Sequence, residues 1–240
     1  MIDSNQITIL FIALLTLSLT IQLLLYFRQI KHLEKNKNEV PSRFKSSISL
    51  EQHQKAIEYF FEKIKLKIIN TFIDYALLYL LTIGGLISFL LIETSNFTET
   101  FSLSPFIGSL LIIGIIGLIN MIIEIPFSFY KQFVIEEKFG FNNMTFSTFF
   151  SDLFKTILIA VVIGGPLFLI IIWLLSQRTL IGDFWWIILW GVISLFSVGI
   201  QILYPIFIAP IFNKFSPLEK GSLKLKLELL LQRCDFSSGG

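Results

Sequence analysis

The polar residues best placed to do chemistry are a few that lie inside or beside long apolar segments. Asn120 and Glu124 are four residues apart, which puts them on one face of a helix. A carboxylate at the centre of a bilayer costs roughly 2.5–3.5 kcal/mol. Glu124 therefore either reaches water near a helix end or lines a polar cavity, and both interpretations stay open. The neighbouring Asn120 favours a polar stripe that faces other helices rather than lipid.

A second group of charged residues lies in an unusual aromatic segment. Glu136, Glu137 and Lys138 stand among ten aromatic side chains: Phe127, Phe129, Tyr130, Phe133, Phe139, Phe141, Phe146, Phe149, Phe150 and Phe154. Aromatic rings are typical of the boundary between membrane and water, so an interfacial belt is the simpler interpretation. The embedded charges favour a more specific role for this segment.

The residues that usually build catalytic centres are scarce. His32 and His53 lie in one polar segment, and no HExxH or other zinc-ligand spacing occurs. There is no phosphate-binding loop, dinucleotide fingerprint or GxSxG. The single cysteine, Cys234, is expected to be a buried packing thiol. The residues themselves predict no catalytic site and no metal site.

Composition indicates an all-α membrane protein. Of 240 residues, 54% are apolar and 15% charged, and the mean hydropathy is +0.77. Soluble domains are about 45–50% apolar and about 25% charged. A helix needs about 20 apolar residues to cross a bilayer. Five segments have this length and predict five transmembrane helices: Ile7 to Phe27, Ile68 to Ile92, Phe106 to Ile125, Ile157 to Leu175 and Phe184 to Ile208.

The basic residues predict how the helices are oriented. With alternating sides, every Lys and Arg except Arg178 falls on one side of the membrane. The positive-inside rule makes that side cytoplasmic, with the N-terminus out and the C-terminus in. A net charge of +2 does not suggest a nucleic-acid partner.

This orientation predicts a five-helix membrane domain, residues 1–210, with cytoplasmic loops 28–67 and 126–156. Within the first loop, apolar residues at helical spacing over 50–67 predict a cytoplasmic extension of helix two, although a basic connector that touches lipid headgroups is an alternative. Gly164-Gly165-Pro166 and Tyr204-Pro205 are kink signals in helices four and five.

Residues 211–240 are polar enough to lie outside the membrane. Leu218 to Arg233 reads as an amphipathic helix with leucines near one face. Such a face needs a partner surface. We therefore expect residues 211–240 to be the start of a cytoplasmic segment that leads into a missing domain.

Several motifs together resemble the type I CAAX prenyl endopeptidases. They occur in family order and at family-like spacing, and the resemblance extends from about Ile113 to Phe236. The motifs are Pro126 to Tyr130, Phe133 to Asn142, Asp152, Gly165-Pro166, Gly182 to Trp186, and Tyr204 to Phe215.

This resemblance implies the N-terminal membrane domain of a seven-helix zinc metallopeptidase whose helices enclose a water-filled chamber. Zinc is expected in the full-length family, bound by an HExxH and a later glutamate, but this sequence ends before that motif. No catalytic or metal residue is therefore assigned, and the chain alone is expected to be inactive. The candidate chamber and loop residues are Asn120, Glu124, Glu136, Glu137, Lys138, Asn142 and Asp152. The implied partners are the bilayer, a C-terminal metallopeptidase half, and lipidated or membrane protein substrates.

Two other functions remain open. A stand-alone membrane scaffold or binding module for lipidated or membrane peptides would explain the unpartnered amphipathic tail, and a transporter would explain the kinked helices and Glu124. A composition rich in Ile, Phe, Lys and Asn suggests an AT-rich genome, so we expect the bacterial cytoplasmic membrane rather than the endoplasmic reticulum.

Overall fold

All regular structure in the described residues is helical, as the sequence predicts. The structure is a computed structural model, and it describes residues 3–216, 218–219 and 221–236. The α-helices are α1 (Ser4–Asn36), α2 (Leu50–Thr82), α3 (Leu86–Thr100), α4 (Pro105–Tyr130), α5 (Glu137–Phe139), α6 (Phe146–Ile159), α7 (Gly165–Ser176), α8 (Arg178–Ile181), α9 (Trp185–Leu203), α10 (Ala209–Phe212) and α11 (Ser222–Arg233). A 3₁₀ turn covers Ser42–Phe44, and π-helical turns cover Lys131–Glu136, Ala160–Gly164 and Tyr204–Ile208.

Among the described residues, four helical runs are long and apolar enough to cross a membrane, and a bent pair of helices brings the number to as many as five. The four are Ser4–Asn36, Pro105–Phe139, Phe146–Ser176 and Trp185–Phe212. The fifth consists of α2 and α3, which meet at an angle of 53°. The fold class predicted from the hydropathy pattern is thus confirmed.

The predicted second span, 68–92, is not a straight helix. It breaks at Gly84-Gly85, where Gly85 has φ = +77° and precedes α3. Glycine adopts this left-handed backbone conformation without steric cost, whereas a residue with a Cβ would be strained. A Cβ on Gly84 would also lie 2.8 Å from the Leu80 backbone. The apolar run predicts the span but not the bend at the glycine pair.

The expected extension of helix two before its apolar segment is present as a helix. Helix α2 begins at Leu50 and runs without a break into the apolar segment. Ser49 starts it with a capping box, because its Oγ accepts from the Gln52 amide at 3.2 Å and the Gln52 side chain accepts from the Ser49 amide at 3.0 Å. Helix α1 also extends to Asn36, so the connection between α1 and α2 is shorter than the predicted loop 28–67.

The predicted loop 126–156 is mostly helical. Helix α4 passes through Pro126 and continues through the π-helical turn into α5, which ends at Phe139. Only residues 140–145 are not helical before α6 begins. The segment connects two predicted spans and was therefore expected to be a loop, but packing against α2 stabilises the helix.

The chain divides into two compact units, Met1–Phe146 and Ser147–Gly240. In the first unit α1 packs against α2, and α3 against α4. The α1–α2 pair is joined by hydroxyl hydrogen bonds, Ser18 to Tyr75 at 2.6 Å and Tyr26 to Thr71 at 3.3 Å. Small residues line the α3–α4 contact, where the buried Gly108 faces Thr98. Both features are typical of helix packing in membranes.

The second unit contains both predicted kinks, and each is a π-helical turn. One ends at Gly164, directly before Gly165-Pro166, and the other contains Pro205. The tail helix is confirmed as α11, with Leu223, Leu227 and Leu230 exposed. Cys234 at its end is exposed, so the expected buried thiol is wrong. Residues 217, 220 and 237–240, which belong to the predicted tail, lie outside the described residues.

Candidate functional site

Tyr59, in the charged N-terminal part of α2, is the centre of a polar site in the first unit. Its hydroxyl donates a 2.6 Å hydrogen bond to Oε1 of Glu136 in the π-helical turn. The same hydroxyl accepts from Nζ of Lys63 at 3.2 Å, and that Nζ lies 4.7 Å from the centre of the Tyr59 ring. The Tyr59 hydroxyl therefore links Lys63, one turn further along α2, to the carboxylate of Glu136 in the π-helical turn.

The Tyr59 ring forms the apolar side of this contact. Phe139 and Phe141 both meet it edge to face, with ring centres 5.2 Å away. Ile135 is only 2% exposed and Phe139 only 6%. Edge-to-face aromatic pairs contribute about 0.5–1.5 kcal/mol beyond burial of their area. Hydrophobic packing thus holds the segment after α4 against α2.

Asn142 closes the turn that follows α5. Its Nδ2 donates to Oε2 of Glu137 at 2.9 Å, while its Oδ1 accepts from Nε2 of Gln132 at 2.6 Å and from the Met144 amide at 2.8 Å. Gly140 has φ = +77°, the conformation that turns the chain at this point. Three hydrogen bonds to a single amide side chain fix the path of the turn.

Lys138 adds an ion pair with the α2 extension. Its Nζ lies 3.0 Å from Oε1 of Glu62. The hydrogen bond from Lys138 lowers the pKa of Glu62 below its ordinary value; partial burial opposes this shift, and the charges of Lys65 and Lys138 reinforce it. Both side chains are partly exposed, so the pair contributes little to stability, at most about 1 kcal/mol.

We call this set the Tyr59 cluster: Tyr59, Glu62, Glu136, Glu137, Lys138 and Asn142. Four of its members were candidates from the sequence, and the structure brings them together. The two α2 residues, Tyr59 and Glu62, were missed. Charged and apolar residues alternate along the extension, and nothing in that pattern marks one tyrosine as a partner of a segment 77 residues away.

Asn120 and Glu124 have different surroundings in the structure. Nδ2 of Asn120 donates to the Ile116 carbonyl of its own helix at 2.9 Å. Glu124 lines a cavity of about 430 Å³ between α1, α2 and the end of α4, together with Asn70. Of the two, only Glu124 lines that cavity.

Asp152 belongs to the second unit. Its Oδ1 pairs with Nζ of Lys155 at 3.0 Å, three residues along the same helix. Lys155 Nζ also lies 5.7 Å from the ring centre of Phe212. Within its unit, Asp152 thus orients a lysine above an aromatic ring.

Nothing in this arrangement provides a zinc site. Among the described residues, no three His, Cys, Asp or Glu side chains are grouped so that they could hold a metal ion. The described residues therefore do not fit zinc.

Known proteins share this helical membrane fold. The chain is 38% identical to CAAX prenyl protease 1 of Saccharomyces cerevisiae over 130 residues, which cover 53% of this chain and 28% of the yeast protein. It is 30% identical to the CAAX prenyl protease 1 homolog of Caenorhabditis elegans over 204 residues, 85% of this chain and 43% of that protein. The crystal structure of S. mikatae Ste24p superposes with a TM-score of 0.77 at 28% identity, covering 92% of this chain and 51% of that chain.

The matches thus span about a quarter to a half of the relatives' length. Residues 29–214 match the family described as CAAX prenyl protease N-terminal, five membrane helices. That range contains the Tyr59 cluster and most of the helices described above. The chain is therefore an integral, multi-pass membrane protein that belongs to the CAAX prenyl protease N-terminal family.

Proposed function

We propose that this chain is the chamber-forming membrane part of a CAAX prenyl protease-like zinc metalloendopeptidase and is not catalytic by itself. The observation that carries the proposal is the family match over 29–214, which includes the segment of the Tyr59 cluster. The sequence contains no HExxH, so zinc and the general base would come from a metallopeptidase half outside this sequence. Its substrates would be prenylated or other membrane proteins.

The Tyr59 cluster gives this membrane part a mechanical role. Helix α2 continues into the bent second span, and the π-helical turn continues α4. A hydrogen bond, an ion pair and two aromatic contacts across this point hold the ends of both spans together. A chamber that aligns a peptide with a distant metal needs rigid walls, because misplacement by about 1 Å can cost about 100-fold in rate.

The proposed orientation places the Tyr59 cluster on the cytoplasmic side, with the N-terminus out and the C-terminus in. The distribution of Lys and Arg supports it. In this orientation residues 1–210 form the membrane domain and residues 211–240 lead into a cytoplasmic segment. The relatives from yeast and nematode favour a eukaryotic membrane over the bacterial one expected from composition.

A chimera tests the proposal directly. This chain would replace the matching membrane part of yeast CAAX prenyl protease 1, and cleavage of a prenylated peptide and bound zinc would be measured. We expect the chimera to bind zinc and cleave, and the chain alone to do neither. A chimera that is monodisperse and binds zinc but does not cleave would contradict the proposal, as would cleavage by the chain alone.

A scaffold or binding module for lipidated or membrane peptides is the second candidate. The exposed leucines of α11 favour it, because an apolar helix face in water needs a partner. Binding of a prenylated peptide to the 240-residue chain and to its Leu227→Glu variant tests this candidate. Loss of binding in Leu227→Glu would identify the apolar face of α11 as the binding surface, whereas unchanged tight binding would favour the chamber.

A further inference from the structure

The cavity beside α1, α2 and α4 is strongly basic. Its lining includes Lys63, Lys67 and Lys131 against one carboxylate, Glu124. Among the described residues, none of the three lysines forms an ion pair with a carboxylate. Lys63 donates to the Tyr59 hydroxyl, and Nζ of Lys67 lies 5.6 Å from the Tyr26 ring centre. Three lysines against one carboxylate therefore give the cavity a net positive charge.

The cavity also lies where the helices pass from charged to apolar sequence. Between Lys67 and Lys131 the chain has no Lys, Arg or His. The apolar part of the lining includes Phe60, Ile64 and Phe127. In a membrane, a boundary of this kind lies at the level of the lipid headgroups. A ligand with an anionic head and an apolar tail matches both parts of the lining.

Asn70 adds a hydrogen-bond acceptor that has no partner. Its Oδ1 is fully buried without a hydrogen bond, and the residue lines this cavity. A buried polar atom without a partner is rare and unfavourable. Together with the Glu124 carboxylate it provides two acceptors beside the lysines. The phosphodiester of a phospholipid has no donor of its own for them, whereas a serine ammonium or an inositol hydroxyl in the headgroup does.

We propose that this cavity binds the headgroup of an anionic phospholipid that carries a hydrogen-bond donor, such as phosphatidylserine or phosphatidylinositol. The phosphate lies among Lys63, Lys67 and Lys131, the donor reaches Asn70 or Glu124, and the acyl chains follow the apolar wall. Basic pockets between membrane helices bind anionic headgroups in this way.

Native mass spectrometry of the 240-residue chain in neutral detergent tests the proposal. The chain is titrated with phosphatidylserine, with phosphatidylcholine of the same acyl chains, and with inorganic phosphate as competitor. We expect a one-to-one adduct with phosphatidylserine that phosphatidylcholine does not form and that inorganic phosphate does not displace. Lys67→Gln and Lys131→Gln should each weaken phosphatidylserine binding roughly fivefold.

Lys65→Gln is the matched control. It makes the same charge change on the same helix, but Lys65 does not line this cavity. An equal loss of binding in Lys65→Gln would show that only general surface charge attracts the lipid and would overturn the proposal. Equal binding of phosphatidylcholine, or full displacement by inorganic phosphate, would overturn it too. The double variant Asn70→Leu, Glu124→Leu should reduce the preference for phosphatidylserine over phosphatidylmethanol, an anionic phosphodiester without a donor, and an unchanged preference would overturn the proposal.

Discussion

The hydroxyl of Tyr59 donates a 2.6 Å hydrogen bond to Oε1 of Glu136, 77 residues later in the chain. The tyrosine lies on the charged extension of the second span, and the glutamate lies just after the third. Both side chains are at least partly buried, so the bond is protected from competing water. This contact ties two membrane helices together outside their apolar segments.

Removing the Tyr59 hydroxyl should destabilise the first unit. Tyr59→Phe keeps the ring contacts with Phe139 and Phe141 but leaves Glu136 without its donor, at a cost of about 1–2 kcal/mol. We expect a lower thermal unfolding temperature in detergent and faster hydrogen exchange over 137–142. Tyr79→Phe, at a half-exposed ring, is the control and should change neither. Equal behaviour of the two variants would mean that the bond is not formed.

A side chain at Gly140 should strain the turn of the cluster. Gly140 has φ = +77° and an added Cβ would have nothing within 4 Å, so Gly140→Ala costs backbone strain rather than a clash. We expect a loss of about 1–2 kcal/mol. Gly117→Ala, at a helical glycine with equally open surroundings, should be neutral or slightly stabilising. A neutral Gly140→Ala in the same unfolding assay would contradict the left-handed turn.

The ion pair between Glu62 and Lys138 should weaken in acid. Because the folded state lowers the pKa of Glu62, the pair stabilises the fold fully at pH values above the ordinary value of 4.5 and is lost as the pH falls below it towards the folded-state pKa. The effect is small, at most about 1 kcal/mol, because both groups are partly exposed. Unfolding of the wild type and Glu62→Gln should differ at pH 7 and converge in acid. A constant difference down to strongly acidic pH would argue against the pair.

The orientation can be tested with introduced cysteines. In a Cys234→Ser background and in sealed vesicles with the cytoplasmic face outward, Ser46→Cys should be labelled by a membrane-impermeant maleimide, and Thr100→Cys only after detergent opens the vesicles. Both positions are exposed in the structure. Labelling in the reverse order would overturn the N-out, C-in orientation while leaving the fold intact.

Hydropathy was sufficient to predict the spans, because each long apolar run must be helical in lipid. It could not predict the 53° bend at Gly84-Gly85, which depends on one backbone conformation inside an otherwise apolar run. The helical state of 126–139 was also missed, because the segment connects two predicted spans and was therefore expected to be a loop.

The candidate site was partly predictable. Glu136, Glu137, Lys138 and Asn142 were conspicuous as charged and polar residues among aromatic rings. Their partners Tyr59 and Glu62 were not, because pairing across 77 residues is set by tertiary packing and leaves no local pattern. The basic cavity was missed for the same reason, since Lys67 and Lys131 are distant in sequence.

The most direct test of the central claim is the mass and zinc content of the native protein extracted from its own membranes. The claim predicts a species that carries about one zinc ion per molecule, either as a chain larger than the 27.6 kDa of this sequence or as this chain bound to a second one. A native protein of 27.6 kDa without zinc and without a companion chain would contradict it.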